Sequence, residues 1–165
     1  MEIRSVQSVG EYVGTMKPGE DWRAELEAMY AAADADAAWF TAIGGVTDAE
    51  VSFYDQTACS YGPTRFDEPM EVASCTGNVA QIDGDESAPY AHTHVVLARS
   101  DGSTVAGHLN AATVFVGEVY MRVFDTEFTR EAAETPILQT DGSWEERVND
   151  GDRETDPVTG LRLWK

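Results

Sequence analysis

Only one stretch of this chain, EDWRAELEAMYAAADA at residues 20–35, carries helical periodicity, and that scarcity constrains the fold more than any other feature. Trp22, Leu26, Met29 and Tyr30 recur on one helical face, and the polar residues fall elsewhere. Glu20 and Asp21 at its start suit the positive end of a helix dipole. The rest reads as short strands and turns, so the expected fold class is α+β with an antiparallel-rich sheet. Residues 2–16 predict one or two strands around Gly10, and KPGED (17–21) ends them. AAWFTAIGGV and AEVSFYD predict two strands separated by a turn near Gly44–Asp48. Residues 55–68 are expected to form a polar loop. MEVASCTGNVAQI (70–82) is strand-like, with Gly77 the place for a bulge or bend. DGDESAP (83–89) reads as a loop, and TVFVGEVYMRVFDTEF (113–128) as another strand. Residues 129–160 are polar and turn-rich without clear periodicity, and TGLRLWK has the pattern of a last docking strand. Trp22 and Trp39 are expected in the core. Trp144 and Trp164 are expected to cover an edge strand or a neighbouring subunit.

A length of 165 residues suits one domain with a real core. No window approaches the roughly 18 apolar residues of a membrane helix. MEIRSVQSVG at the N-terminus has neither the basic start nor the apolar stretch of a secretory signal, so the expected location is cytoplasmic. Cys59 and Cys75 are too few for a disulfide framework, and Cys75, in an apolar run, reads as a small buried hydrophobe. Charge is the unusual feature. Thirty acidic residues face 11 basic ones, a net charge of −19, and only Lys17 and Lys165 are lysines. Acids spread along the whole chain predict a salt-adapted surface of the halophilic type. They also predict repulsion of nucleic acid, whose phosphates are bound by clustered lysine and arginine.

All three histidines lie between Tyr90 and Asn110, in YAHTHVVLARSDGSTVAGHLN. Residues two apart in a strand share a face, so His92 and His94 do. A three-residue loop, Ser100–Gly102, with Gly102 in the left-handed position would close a bulged hairpin. Arg99 then faces Ser103, Val96 faces Ala106, His94 faces His108, and His92 faces Asn110. The three histidines and Asn110 share one face, while Val95, Leu97, Val105 and Leu109 form a core stripe on the other. A two-residue Asp-Gly loop would shift the register and send His108 to the opposite side. Three imidazoles on one face suit a zinc ion with one open position. Imidazole suits iron, nickel and copper as well.

Several blocks in order resemble the PPC (plant and prokaryote conserved) domain family. KPGEDW is similar to its Gly-Glu-Asp lead into the helix, and FTAIGGVTDAEVSFYD to its Ala-Ile-Gly strand pair. MEVASCTGNVAQIDGD resembles its Glu-x-x-Ser-x-(Ser/Thr)-Gly-Asn block. HTH with SDGSTVAGHL resembles its His-x-His, Asp-Gly and Gly-Gly-His-Leu elements, with Ala106 in place of the first glycine. ETDPVTGLRLW is similar to its Asp-x-x-Thr-Gly-Leu tail, while the segment between about 130 and 152 departs from the pattern. The resemblance implies a PPC-like core over 1–128, with a curved mixed or antiparallel sheet and one main helix. It also implies a polar extension over 129–165 packing on the core or a neighbouring subunit. It further implies a homotrimer and, carried over by position, a metal held by His92, His94 and His108. Prokaryotic members are provisionally labelled DNA-binding by analogy with plant relatives that carry a basic Arg-Gly-Arg-Pro hook. This chain has no such hook.

Three function classes follow: a regulatory or DNA-associated trimer with a structural or sensory metal, a small metal-dependent hydrolase or decarboxylase, and a trimeric interaction module without chemistry. Chemistry needs an acid or base within reach of the metal. Glu71, Asn78, Asn110 and Arg122 are the residues expected to line the site, and none stands out as a base. YGPTRF and DGDESAP read as connections that could also rim it.

Overall fold

A computed structural model of the chain describes residues 3–56, 58, 60–82, 88–132, 137–138, 144–145 and 162–164. Strand β1 (Ser8–Met16) leads into helix α1 (Trp22–Ala32), followed by β2 (Ala37–Asp55), β3 (Ser60–Phe66), β4 (Met70–Ile82), β5 (Pro89–Ala98) and β6 (Thr104–Phe124). The short strands β7 (Thr129–Ala132), β8 (Ile137–Leu138), β9 (Trp144–Glu145) and β10 (Arg162–Trp164) come last. This is an α+β fold with one main helix. β2 pairs antiparallel with both β4 and β6, and β5 pairs antiparallel with the same two strands. The four strands therefore form a pairing cycle, and the sheet curls around its core. β1 lies beside β6 and β3 beside β2, both antiparallel. β7 joins β4 in parallel, which makes the sheet mixed, and the terminal β10 docks on β7. Among the described residues, β8 and β9 pair only with each other.

Helix α1 starts where it does because Asp21 caps it, its carboxylate accepting from the amides of Arg23 and Ala24. The other carboxylate oxygen accepts from Ala112 N–H, and Gly19 and Glu20 exchange backbone hydrogen bonds with Val114. The first turn is thus tied to the middle of β6. Trp22, Leu26 and Tyr30, four residues apart, turn inward and are buried against Phe40, Leu97, Leu109 and Met121. Cys75 is buried among them, as its apolar setting suggests. Among the described residues, no helix is long and apolar enough to cross a membrane.

Four expectations are corrected. The turn at Gly44–Asp48 is absent, because β2 runs unbroken through it and absorbs the irregularity as register shifts against β6. Gly44 has φ 153°, and a Cβ there would fall on the Val116 carbonyl oxygen, so the glycine serves strand approach and not a turn. The polar loop over 55–68 is largely the strand β3. At a sheet edge, exposed on both faces over Ser60–Arg65, it needs no apolar alternation and tolerates Pro63. Gly77 is in register; the bulge of β4 lies between Val72 and Ser74. Trp39 is 44% exposed and is not a core residue. Residues 83–87 of the expected loop, Cys59, and the side chains of the extension from 129 on, Trp144 and Trp164 included, lie outside the described residues.

Candidate metal centre

The β5–β6 hairpin closes on the three-residue loop. Arg99 N–H donates to Ser103 O at 2.8 Å, and Gly102 N–H donates to Arg99 O at 2.9 Å. Gly102 takes φ +84°, the left-handed value that favours glycine. The Asp101 carboxylate accepts from Ser103 N–H at 2.8 Å. From this loop the register runs Ala98–Thr104, Leu97–Val105, Val96–Ala106, Val95–Gly107 and His94–His108. Val95, Leu97 and Leu109 are buried and Val105 is part-buried, so the apolar stripe faces the core and the histidines take the other face.

The β5–β6 ladder stops at His94–His108. Beyond it, α1 supplies side chains in place of strand hydrogen bonds. Arg23 Nε donates to Ala91 O at 3.0 Å, and its Nη1 donates to Asn110 O at 3.1 Å. Glu27 accepts from Ala91 N–H at 3.0 Å and pairs with Arg23 at 3.5 Å. In the fork so formed, the rings of His92 and His94 lie 5.1 Å apart, His92 and His108 5.1 Å, and His94 and His108 5.6 Å. One ligand nitrogen from each lies within 4.8 Å of the others. Among the described residues no fourth histidine, cysteine or carboxylate joins the group. Partial burial pushes the His94 imidazole below its ordinary pKa, toward the neutral form that binds metals. The donor set, three imidazole nitrogens within 4.8 Å of one another, fits a divalent transition-metal ion. Cys75 is no competitor: burial pushes its thiol pKa up to about 12.

An aromatic and amide shell surrounds the rings. The Tyr90 hydroxyl lies 3.3 Å from His108 Nε2, and the Tyr61 ring is 5.4 Å from that of His108. Tyr54 packs edge-on to Tyr61 at 5.0 Å. Cross-strand partners on β4 are Thr76 for His94 and Asn78 for His92, with Asn78 nearly buried. Asn110 is the extra residue in a β6 bulge opposite Glu50 and Val51. Its amide donates to Glu50 at 2.8 Å and to Ser52 at 2.7 Å, and Ser52 is the β2 partner of His108. Asn78 and Asn110 thus stand beside the histidines. Glu71 is exposed opposite Ala98, at the turn end of β5. Arg122 is at the β1-paired end of β6, 2.9 Å from Glu11. Tyr90, Tyr61, Arg23 and Glu27 are additions to the expected set. Tyr90 was within reach of the period-two argument, being two residues before His92. Tyr61 opens YGPTRF, the stretch read as a connection that could rim the site, while nothing local in the sequence marks Arg23 or Glu27.

The Plants and Prokaryotes Conserved (PCC) domain model, describing the PPC family resembled above, matches residues 3–125. Among curated proteins none matches. Among solved structures, a metal-containing protein from Archaeoglobus fulgidus is 28% identical, with a TM-score of 0.77, over 100% of this chain and 99% of that one. A plant- and prokaryote-conserved protein from Pyrococcus horikoshii is 20% identical, with a TM-score of 0.78, over 100% and 97% of the two chains. A provisionally DNA-binding protein from Bacteroides thetaiotaomicron is 21% identical, with a TM-score of 0.72, over 98% and 96%. The last two likenesses establish the fold.

Proposed function

The chain belongs to the Plants and Prokaryotes Conserved domain family, and we propose that it is a homotrimeric metal-binding protein whose His92, His94 and His108 hold one divalent ion, zinc first. The observation that carries this reading is the convergence of three imidazole nitrogens within 4.8 Å. The metal-containing relative from Archaeoglobus fulgidus supports it. Zinc held by three imidazoles supplies a Lewis-acidic position open to water or a ligand. Around that position Tyr90 offers a hydroxyl and Asn78 an amide, while Asn110 is held by Glu50 and Ser52. Metal analysis of protein prepared without chelator should give near one ion per chain, and His94→Ala should lose it. An unchanged metal content in that variant would refute the ligand assignment.

The trimer is supported by an apolar outer face. Val13 is 84% exposed, Phe115 67% and Ile43 55%, and with Tyr120 they lie on or beside the paired strands β1, β6 and β2. Val13, Ile43 and Tyr120 also line an open groove of about 750 Å³. Exposed apolar area of this kind marks an interface. Light scattering should give a mass near three chains, and a monomer at micromolar concentration would remove the idea.

Duplex DNA is expected to bind weakly or not at all. The net charge is −19, and the guanidinium groups of Arg23, Arg65, Arg99 and Arg122 each lie against a carboxylate. Titration against AT-rich and mixed duplexes at several salt concentrations decides this. Submicromolar, sequence-selective binding at high salt would restore a DNA role. A second reading, a small metal-dependent hydrolase or decarboxylase, is favoured by the three-ligand set, since a structural zinc usually takes four protein ligands. Metal-dependent turnover of a chromogenic ester, abolished in His94→Ala, would support it.

A further inference from the structure

The fork that holds the histidines is not explained by the strands that bear them. A hairpin in this register would continue past His94–His108 through Thr93–Leu109 and set His92 opposite Asn110, yet the ladder ends two pairs short of that. Arg23 occupies the gap. Its side chain is only 17% exposed, and it reaches both strands at once, donating to Ala91 O at 3.0 Å and to Asn110 O at 3.1 Å. Ala91 immediately precedes His92, and Asn110 is two residues after His108. The guanidinium lies 4.4 Å from the ring centre of Tyr90, whose hydroxyl is 3.3 Å from His108 Nε2. Glu27, one helical turn on, accepts the Ala91 N–H and holds the guanidinium from the far side.

We propose that Arg23 is the positioning residue of the three-histidine centre. Its planar fork of donors replaces the missing β5–β6 hydrogen bonds and fixes how far the strands part. Through the face of Tyr90 it also fixes the ring of His108. A lysine cannot do the same, because a single ammonium lacks the rigid geometry that spans two carbonyls while stacking on an aromatic ring. The helix thereby reaches the metal site through tertiary contacts alone. Groups that orient metal ligands in this indirect way typically change affinity about 10–100-fold when removed.

The proposal rests on the metal reading above, and its test separates the two. Wild type, His94→Ala, Arg23→Ala, Arg23→Lys and Tyr90→Phe are titrated with Zn²⁺ against a chromophoric chelator. Each is then loaded with Co²⁺, whose visible absorption reports coordination geometry, and hydrogen exchange is followed at the Ala91 and His92 amides. Arg23→Ala should bind Zn²⁺ about tenfold or more weakly, with an altered Co²⁺ spectrum and faster exchange at those amides. Arg23→Lys should recover only part of the affinity, and Tyr90→Phe should lose less than Arg23→Ala. If Arg23→Ala does not fold, Arg23→Lys and Tyr90→Phe carry the test. Arg23 variants that melt at lower temperature but keep wild-type affinity and spectrum would overturn the positioning role and leave the metal site standing. Wild type that binds neither ion would overturn both.

Discussion

The two ends of the β5–β6 hairpin are held by different physics. At the turn end, hydrogen bonds run strand to strand, Gly102 supplies the left-handed residue, and Leu97 and Val95 bury the far face. The turn itself is local in sequence, while Leu97 and Val95 pack into the common core and Arg99 pairs with Glu68. At the histidine end the ladder is gone, and a helix that begins about seventy residues earlier takes over with Arg23 and Glu27. A continuous ladder makes a surface of fixed pitch, whereas an opened fork makes room for side chains to converge. Since β5 stays paired with β4 and β6 with β2 on either side, what Arg23 and Glu27 set is the gap between β5 and β6 where the imidazoles converge.

The largest effect expected from breaking one end alone comes from Leu97→Ala. Leu97 is fully buried, and its truncation should cost about 2–5 kcal/mol of stability through lost burial and a residual cavity. Its side chain faces away from the histidines, so metal per folded chain should stay unchanged. Denaturant unfolding and metal analysis on one preparation check both halves, and loss of metal from folded protein would dissolve the contrast between the ends.

Gly77→Ala strikes the other end. A Cβ at Gly77 would fall on the His92 carbonyl oxygen and lie 2.7 Å from Cζ of Phe40. Neither has room to retreat, since Phe40 is fully buried and Thr93, next to His92, is buried as well. Overpacking of this kind costs about 1–3 kcal/mol. Because it pushes on the backbone of a histidine, metal affinity should fall along with stability. A Gly77→Ala protein with weakened folding and intact metal binding would show that the fork absorbs strain without passing it to the rings.

How much of this was legible beforehand follows the same division. Residues 90–110 alone offered two registers, and the three-residue loop with Gly102 left-handed is the one that sets His94 opposite His108; the closed turn decides between them. Tyr90 was equally readable, being on the same parity as His92. Arg23 was not: on the helix it looks like one more solvated charge, and only the docking of Asp21 on β6 aims it at Ala91 and Asn110. Tyr61 was half legible, since YGPTRF was read as a possible rim of the site but as a connection and not a strand. It sits on an edge strand whose polar, proline-containing sequence reads as a loop, and the pairing with β2 is what brings it to His108. The glycines misled in a consistent way. Gly44 and Gly77 suggest a turn and a bulge, yet each marks a place where a neighbouring backbone comes too close for a side chain.

Gly102→Ala tests the turn end more gently. No atom lies within 4 Å of a Cβ built there, so the cost is purely that of φ +84° for an L-residue. That is about 1–2 kcal/mol. Gly102→Asn, which tolerates the left-handed region better, should lose less. Metal affinity should be unmoved in both. A Gly102→Ala variant as stable as wild type would mean that the loop is free to adopt another turn, and that the register is set by the core stripe instead.

The smallest expected effect lies in the same loop and is read by pH. The Asp101 carboxyl is held below its ordinary pKa, first by the Ser103 hydroxyl and then by the Ser103 amide. A carboxylate depressed in the folded state stabilises it above the unfolded pKa, about 3.9, and that contribution fades as pH falls through the folded value. The difference in stability between wild type and Asp101→Asn should therefore be level from neutrality down to about pH 5 and shrink below about pH 4. The group is fully exposed, so the difference is small and sensitive to salt. Metal binding by Asp101→Asn should match wild type at pH 7, because nothing at the turn touches the fork. Urea midpoints measured for both proteins across that pH range decide the matter. A gap between them that widens in acid has the wrong sign for a depressed carboxyl and would remove Asp101 from the forces that close the hairpin.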